Sequence, residues 1–413
     1  METTNIHTEE IYRQSLELHE KLGGKLEVRS KFEVMDKEDL SLIYTPGVAE
    51  VCLEIAREPR RAYDLTIKKN CIAIVSDGSA VLGLGNIGPL AAIPVMEGKA
   101  MLFKKYGDVD AFPICVNTQD TQEIIDLIKN ISPVFAGINL EDISAPKCFE
   151  IEDALQDLGI PVFHDDQHGT AIVLLAALIN SAKLAGKRLE DLKVVINGAG
   201  AAGNAIAELL LCIGHDPNVC VPVADIIVCD KRGIINISRE DIALKPAKMQ
   251  LAMFTNRSHR TGTLADAIVG ADVFIGVSSA DVVTQDMIRS MGDKPIVFAM
   301  ANPTPEIMPD LALDAGAFIV GTGRSDLPNQ VNNALAFPGI FRGAIDACAT
   351  RITNKMKIAA AYALAEWIEN PTPDEVICST LDKTVAMHVA EAVKNAYLEE
   401  AIETAVTVES ATV

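Results

Sequence analysis

The stretch "VVINGAGAAGNAIAELL", residues 194–210, decides how the chain is read. A β-branched run leads straight into Gly198, Gly200 and Gly203, spaced as G-x-G-x-x-G, and small and apolar residues at helical spacing follow. In such a strand–loop–helix the first glycine makes the tight turn. The second lets a pyrophosphate approach the backbone, and the third lets the helix pack on the strand. The phosphates then rest on a helix N-terminus. The next strand, "IIVCD", ends in Asp230, a residue type that bonds ribose hydroxyls. It comes later than the usual ~20 residues after the loop, and "HDPNVCVPVAD", residues 215–225, accounts for the extra length. Gly198, Ala199, Gly200, Ala201, Ala202, Gly203 and Asp230 are therefore the candidate dinucleotide contacts. Asp230 favours NAD, whereas Lys231 and Arg232 next to it suit the 2′-phosphate of NADP.

A second G-x-G-x-x-G lies in "AVLGLGNIGPL", residues 80–90, with Gly83, Gly85 and Gly88. Its strand stops near Asp77, and "GSAV" precedes Gly83. Pro89 stands at a first helical position, and the following strand, "VDAFPICV", ends without an acid. This loop reads as a tight glycine turn or as the wall of a cleft. Around it, strand-like "CIAIVSD", "VDAFPICV", "PVFAGINL" and "IPVFH" alternate with helical patterns, including "DTQEIIDLIKNI" with Asp120 as N-cap. A long helix, expected from Thr170 to Ala185, leads to a second alternating series through "ADVFIGV", "PIVFAM" and "AFIVGTG". The fold expected is α/β in two domains: an N-terminal parallel-sheet α/β domain and a C-terminal Rossmann-like doubly wound NAD(P)-binding domain. The boundaries expected are 1–163, completed by C-terminal helices 334–413, and 164–333.

The chain has 413 residues and a formal net charge of −21, a balance that argues against nucleic acid and anionic membranes as partners. Its nine cysteines, odd in number and without a C-x-x-C, read as a reduced intracellular, cytoplasmic protein without a disulfide or zinc framework. The polar N-terminus is unlike a signal peptide. The most apolar segment, "TAIVLLAALINSAKLAG", is broken by Asn180 and Lys183 and reads as a buried helix.

"INLEDI" sets Glu141 and Asp142 just after one strand, and "FHDDQHGTA" sets Asp165 and Asp166 just after another. Ligands bind beyond the carboxyl ends of parallel strands. Four acids gathered there suggest a divalent hard cation, Mg²⁺ or Mn²⁺. Neighbouring residues on a strand face opposite ways, so Glu141 and Asp142 share an ion only where the strand has ended and turned. Capping of the helix at Thr170 by Asp165 or Asp166 is an equal alternative. His164 and His168 suit zinc, a weaker reading without cysteine partners.

The ordered segments "IYTPGV", "VSDGSAVLGLGNIGP", "PVMEGKAMLF", "INLEDI", "FHDDQHGTA", "VVINGAGAAG", "FAMANPTPEI" and "NNALAFPG" resemble the signature segments of malic enzymes, most of all the short-subunit bacterial type. The resemblance runs from about residue 40 to 345. It implies oxidative decarboxylation of (S)-malate to pyruvate and CO₂ with NAD or NADP and Mg²⁺ or Mn²⁺, and decarboxylation of oxaloacetate. It implies Glu141, Asp142 and Asp166 as metal ligands, Asp165 as the supporting acid, Tyr44 as general acid and Lys99 as general base. Asn302, Asn332 and Asn333 become substrate contacts, Asn302 touching the cofactor as well. A neutral Lys99 is needed, and burial and metal charge would lower its pKa. Longer relatives carry an Arg before "LGLG"; this chain has Ala80 and none nearby, so Asn302, Asn332, Asn333 and the amides of the first glycine loop are the candidates to hold the malate carboxylate. The N-terminal helix before Tyr44 suggests a homodimer or higher oligomer with Tyr44 supplied across it. Two other readings are a metal-independent amino-acid or 2-hydroxy-acid dehydrogenase and a non-catalytic nucleotide sensor. The "ED…DD" acids argue against the first, and retention of Tyr44 and Lys99 against the second.

Overall fold

A computed structural model describes residues 2–81, 84–380 and 382–411. Gly83, the first glycine of the loop at 80–90, lies outside them. The chain opens with α1 (Glu2–Leu22), α2 (Lys37–Ile43), α3 (Val48–Arg57) and α4 (Ala62–Leu65). None of residues 9–70 is buried.

The first sheet is built from β1 (Cys71–Ser76), α5 (Pro89–Gly107), β2 (Asp110–Cys115), α6 (Thr121–Ile131), β3 (Gly137–Leu140), α7 (Lys147–Asp153) and β4 (Val162–His164). Its strands run parallel in the order β2-β1-β3-β4. Local signals act as read: Pro89 is the first residue of α5, and Asp120 Oδ1 accepts from Glu123 N at 3.0 Å. Then α8 (Asp165–Ala185) begins at Asp165, five residues before the expected start. It is the one described helix long and apolar enough to cross a bilayer, but 72% of its most apolar window is buried inside the fold. A continuous helix can start beside two acids because they sit in its first turn, where the helix dipole favours negative charge.

The second unit holds β5 (Lys193–Asn197), α9 (Ala201–Leu210), β6 (Asp225–Asp230), β7 (Gly233–Ile234), α10 (Pro246–Phe254), α11 (Leu264–Ile268), β8 (Val273–Gly276), α12 (Gln285–Arg289), β9 (Ile296–Ala299), α13 (Pro309–Asp314) and β10 (Ile319–Thr322). The strand order is β10-β9-β8-β5-β6-β7, parallel except for β7 against β6. The order reverses between β5 and β8, a switch point where ligands bind beyond the strand ends.

The chain closes with α14 (Phe337–Asp346), α15 (Asn354–Glu366) and α16 (Lys383–Ala411). α14 returns to the first sheet: Phe337 and Phe341 meet Phe103 of α5 with ring centroids 4.5 and 5.4 Å away, and Phe341 meets Phe163 of β4 at 6.1 Å. These rings are fully buried, so the last third of the chain supplies apolar core beneath the first sheet.

One expectation is overturned. Cys212 and Cys220 form a disulfide, closing the loop after α9. An odd cysteine count without a C-x-x-C gives no local sign of it. The turn at 212–216 folds the chain back until their Cα atoms are 5.8 Å apart, within bonding range.

Candidate active site

The acids after β3 and β4 converge. β3 ends at Leu140, and Asp142 has φ +53°, so the chain has left the strand and turned where the two acids follow each other. That left-handed residue lets Glu141 and Asp142 face one point. One carboxylate oxygen each from Glu141, Asp142 and Asp166 lies within 4.8 Å of the others. Asp166 Oδ2 also accepts from Asp142 N at 2.8 Å, joining the two loops directly. Neither Asp165 nor Asp166 caps a helix at Thr170: the N-cap of α8 is His164, and its side chain makes no capping bond. The capping alternative is therefore set aside.

Lys99, on α5, reaches this group. It is 6% exposed and pairs with Glu141 Oε1 at 2.5 Å and with Asp165 Oδ2. Its ammonium also sits 4.4 Å from the centre of the Phe337 ring. Burial works to lower the Lys99 pKa, but the charges of Asp165, Glu141 and Asp166 outweigh it and raise the value. Three acids surround the ammonium and hold its proton. Burial raises the Glu141 carboxyl well above its ordinary value, against the pull of Lys99. Burial likewise pushes Asp165 up to about 6, again against Lys99. Asn139 Nδ2 donates to Glu141 Oε2 at 3.0 Å. Gly169, one turn along α8, leaves room for Asp165; a Cβ there would lie 1.8 Å from Asp165 Oδ1.

The donor set fits a divalent hard cation: three carboxylate oxygens, close enough together to share an ion with bonds of about 2.0–2.6 Å. Among the described residues the three-oxygen group contains no histidine, although His164 Nδ1 lies 4.0 Å from Asp166 Oδ2.

The second glycine loop is placed as its spacing demands. Gly198 has φ +131°, and a Cβ on Gly203 would lie 1.9 Å from Gly198 O, so the helix can close on the strand only without a side chain there. A cavity of about 730 Å³ lies over this loop, lined among others by Gly198, Ala199, Gly200, Asp230 and Lys248. Ala201 packs against the core of the first sheet, while Ala202 packs against the larger core. Asp230 accepts from Arg239 at 2.9 and 3.1 Å, from Lys248 Nζ at 2.5 Å and from Arg232 N at 2.9 Å. Burial opposes this, but Arg239 and Lys248 prevail and hold the carboxyl far below its ordinary value.

Other residues are distributed less tightly. Asn302 is exposed beyond β9. Asn332 Oδ1 accepts from Ala334 N at 2.8 Å, capping the turn at Asn333–Leu335. The Cβ of Asn333 lies 3.3 Å from where a Gly169 side chain would begin, beside Asp165. Tyr44 is 67% exposed, and its hydroxyl makes no hydrogen bond among the described residues. In the first glycine loop, Ile87 N and Gly88 N both bond Gly78 O, and Ala80 N bonds Asp142 O, so this turn braces the acidic loop. A second buried group escaped the sequence reading: Glu152 accepts from His164 N, Gln167 and His168 at 3.0–3.1 Å. Lys357, from α15, approaches His168 at 3.3 Å. Nothing local in the sequence links residues so far apart.

Two family profiles match. The malic enzyme N-terminal domain covers residues 23–156, and the malic enzyme NAD-binding domain covers residues 167–398. The chain is 54% identical to the bifunctional malic/malolactic enzyme of Bacillus subtilis (strain 168), over 94% of this chain and 93% of that one. It is 48% identical to an NADP-dependent malic enzyme of Halomonas elongata, over 88% and 84%. The crystal structure of an NAD-dependent malic enzyme from Thermotoga maritima superposes with a TM-score of 0.87 at 48% identity, over 92% and 98% of the two chains.

Proposed function

The chain belongs to the malic enzyme family, and from that premise we propose how its own residues carry out the oxidative decarboxylation of (S)-malate to pyruvate and CO₂ with reduction of NAD or NADP. The observation that carries the reading is the meeting of Glu141, Asp142 and Asp166, with the buried Lys99 paired to Glu141 and Asp165. Those three acids would hold Mg²⁺ or Mn²⁺. When bound, the ion supplies Lewis-acid polarisation of the malate 2-hydroxyl and carboxylate oxygens, and the nicotinamide accepts the hydride from C2.

Lys99 is the base. Its ammonium is held by Glu141 and Asp165, and the positive charge of an ion on the same acids acts against that hold, favouring the neutral amine that takes the 2-hydroxyl proton. Asp165, 0% exposed, positions the Lys99 nitrogen. After CO₂ departs, C3 needs a proton, and Tyr44 is the donor. Because Tyr44 is exposed and none of residues 9–70 is buried, we infer that the Tyr44 segment of a second copy completes the site. Asn302 and Asn333 would contact substrate, with the Nδ2 of Asn332 as the remaining donor beside its cap. The Gly198–Gly203 loop receives the pyrophosphate. Asp230 is the acceptor for the adenosine ribose and favours NAD, while Lys231, Arg232 and Lys248 in the same cavity offer a 2′-phosphate its partners.

The assay is pyruvate formation from malate and Mn²⁺ with NAD against NADP, before and after EDTA. We expect turnover with both cofactors, a higher kcat/KM for NAD, and loss of turnover with EDTA. Full activity after metal removal overturns the reading.

A further inference from the structure

The acid at the end of β6 is already engaged. Asp230 Oδ1 accepts from Arg239 Nη1 and from Arg232 N, both at 2.9 Å. Its Oδ2 accepts from Arg239 Nη2 at 3.1 Å and from Lys248 Nζ at 2.5 Å. A carboxylate offers about four lone-pair sites, and these four bonds use them. Arg239 also grips Asp241, through Nε at 2.9 Å and Nη2 at 2.8 Å, and Arg232 Nη1 lies 3.5 Å from Asp241 Oδ2. Asp230, Arg232, Arg239, Asp241 and Lys248 thus form one connected set of three cations and two acids.

The two cations on Asp230 stand in different places. Lys248 lines the cavity over the glycine loop, with Asp230, Lys231 and Arg232, whereas Arg239 does not. Arg239 is tied down: besides the two carboxylates, its Nη1 bonds Gly233 O at 3.2 Å and Ile234 O at 3.3 Å. Among the described residues Lys248 Nζ bonds Asp230 alone, and it sits at the start of α10 on the cavity wall. A bare carboxylate at this strand end accepts ribose hydroxyls and repels a 2′-phosphate. Here Arg239 offsets the carboxylate charge from behind, and the cation in front is the one held by a single bond.

We propose that Arg239 and Lys248 together open the cofactor site to NADP as well as NAD, a step that rests on reading the Gly198–Gly203 loop as the dinucleotide site. Arg239 stays on Asp230 and offsets its charge. Lys248 leaves Oδ2, and its departure serves either cofactor. With NAD it frees an acceptor for the ribose 2′-hydroxyl. With NADP it carries the ammonium to the 2′-phosphate. Arg239 is then a positioning residue that touches no cofactor, and Lys248 determines specificity. A purely structural role for Arg239, as a clip on the β6–β7 turn, would affect both cofactors alike.

The test is binding of NADH and of NADPH to the full chain without malate or metal, each titrated by its own fluorescence. We expect the wild type to bind both. In Lys248→Met the ratio of the NADPH Kd to the NADH Kd should rise at least about tenfold, the loss of one charged hydrogen bond to a phosphate. Arg239→Met should raise the ratio by a similar factor, because the uncovered Asp230 repels the phosphate and holds Lys248 back. Arg239→Lys keeps the charge and should return the ratio to within about threefold of the wild type. If Arg239→Met does not fold, Lys248→Met, on the cavity wall, carries the same expectation. A ratio unchanged in Lys248→Met overturns the proposal. So does equal weakening of both cofactors in Arg239→Met, or a wild type that binds NADH alone. A wild type that binds neither cofactor instead overturns the dinucleotide reading of the loop, and the proposal with it.

Discussion

Lys99 sits between Glu141 and Asp165, and its protonation is decided by how much negative charge surrounds it. Removing the amine in Lys99→Ala should lower kcat by about 10²–10⁴-fold, the usual contribution of a positioned acid–base group. Binding of NADH, followed by its own fluorescence, should be unchanged. Asp142→Asn removes one charge from the three-oxygen cluster. It should move the Mn²⁺ titration of activity to at least about tenfold higher concentration. An unchanged titration would remove Asp142 from the ligand set. Glu152 gives a pH prediction. Burial alone would raise its pKa, but His168 and Lys357 prevail and hold it down at about 2, against an ordinary 4.5. A carboxyl depressed on folding contributes stability that is fully present above its unfolded value and lost as the pH falls through its folded one. Thermal stability should therefore decline as the pH drops from 4.5 towards 2, and Glu152→Gln should flatten that part of the profile. The acids after the strand ends were legible as residue types in the sequence. Their convergence was not, because it depends on the φ of +53° at Asp142 and on a helix that begins at Asp165.

At the scale of elements, the β5–loop–α9 unit was readable because its physics is local. Strand, turn and helix adjoin in sequence, and Gly203 is required by contact with Gly198, only five residues away. Gly203→Val should force the helix off the strand, costing about 1–3 kcal/mol of stability and weakening cofactor binding more than it changes the Mn²⁺ titration. The loop that follows α9 was misread. Cys212 and Cys220 are bonded across it, leaving seven free cysteines. Thiol titration of the denatured, unreduced protein should therefore count seven thiols, rising to nine after reduction. A count of nine before reduction would restore the sequence reading. Periodicity identified α8 but placed its start late, since His164–Gly169 carries no apolar spacing and its helical form comes from packing on Glu152 and Lys99.

The whole molecule carries apolar side chains on its N-terminal helices that its own fold does not cover: Leu16 and Leu42 are 63% and 66% exposed. Covering such a face needs another chain, and the same segment carries Tyr44. A mixture of Tyr44→Phe and Lys99→Ala proteins, each inactive alone, should regain part of the activity after subunit exchange, because mixed dimers contain one intact site. Absence of any recovery would place Tyr44 in its own subunit's site. The amino-acid sequence by itself determined the alternation of strands and helices, the dinucleotide loop and the residue types at the strand ends. Each of those follows from spacing within a few residues. Only the tertiary structure decided that Glu141, Asp142 and Asp166 share one point, that Lys99 pairs with Glu141 and Asp165, that Lys357 meets His168, and that Tyr44 stands exposed. Those relations join segments up to 189 residues apart, and they are set by which faces pack together, a long-range outcome that no local pattern encodes.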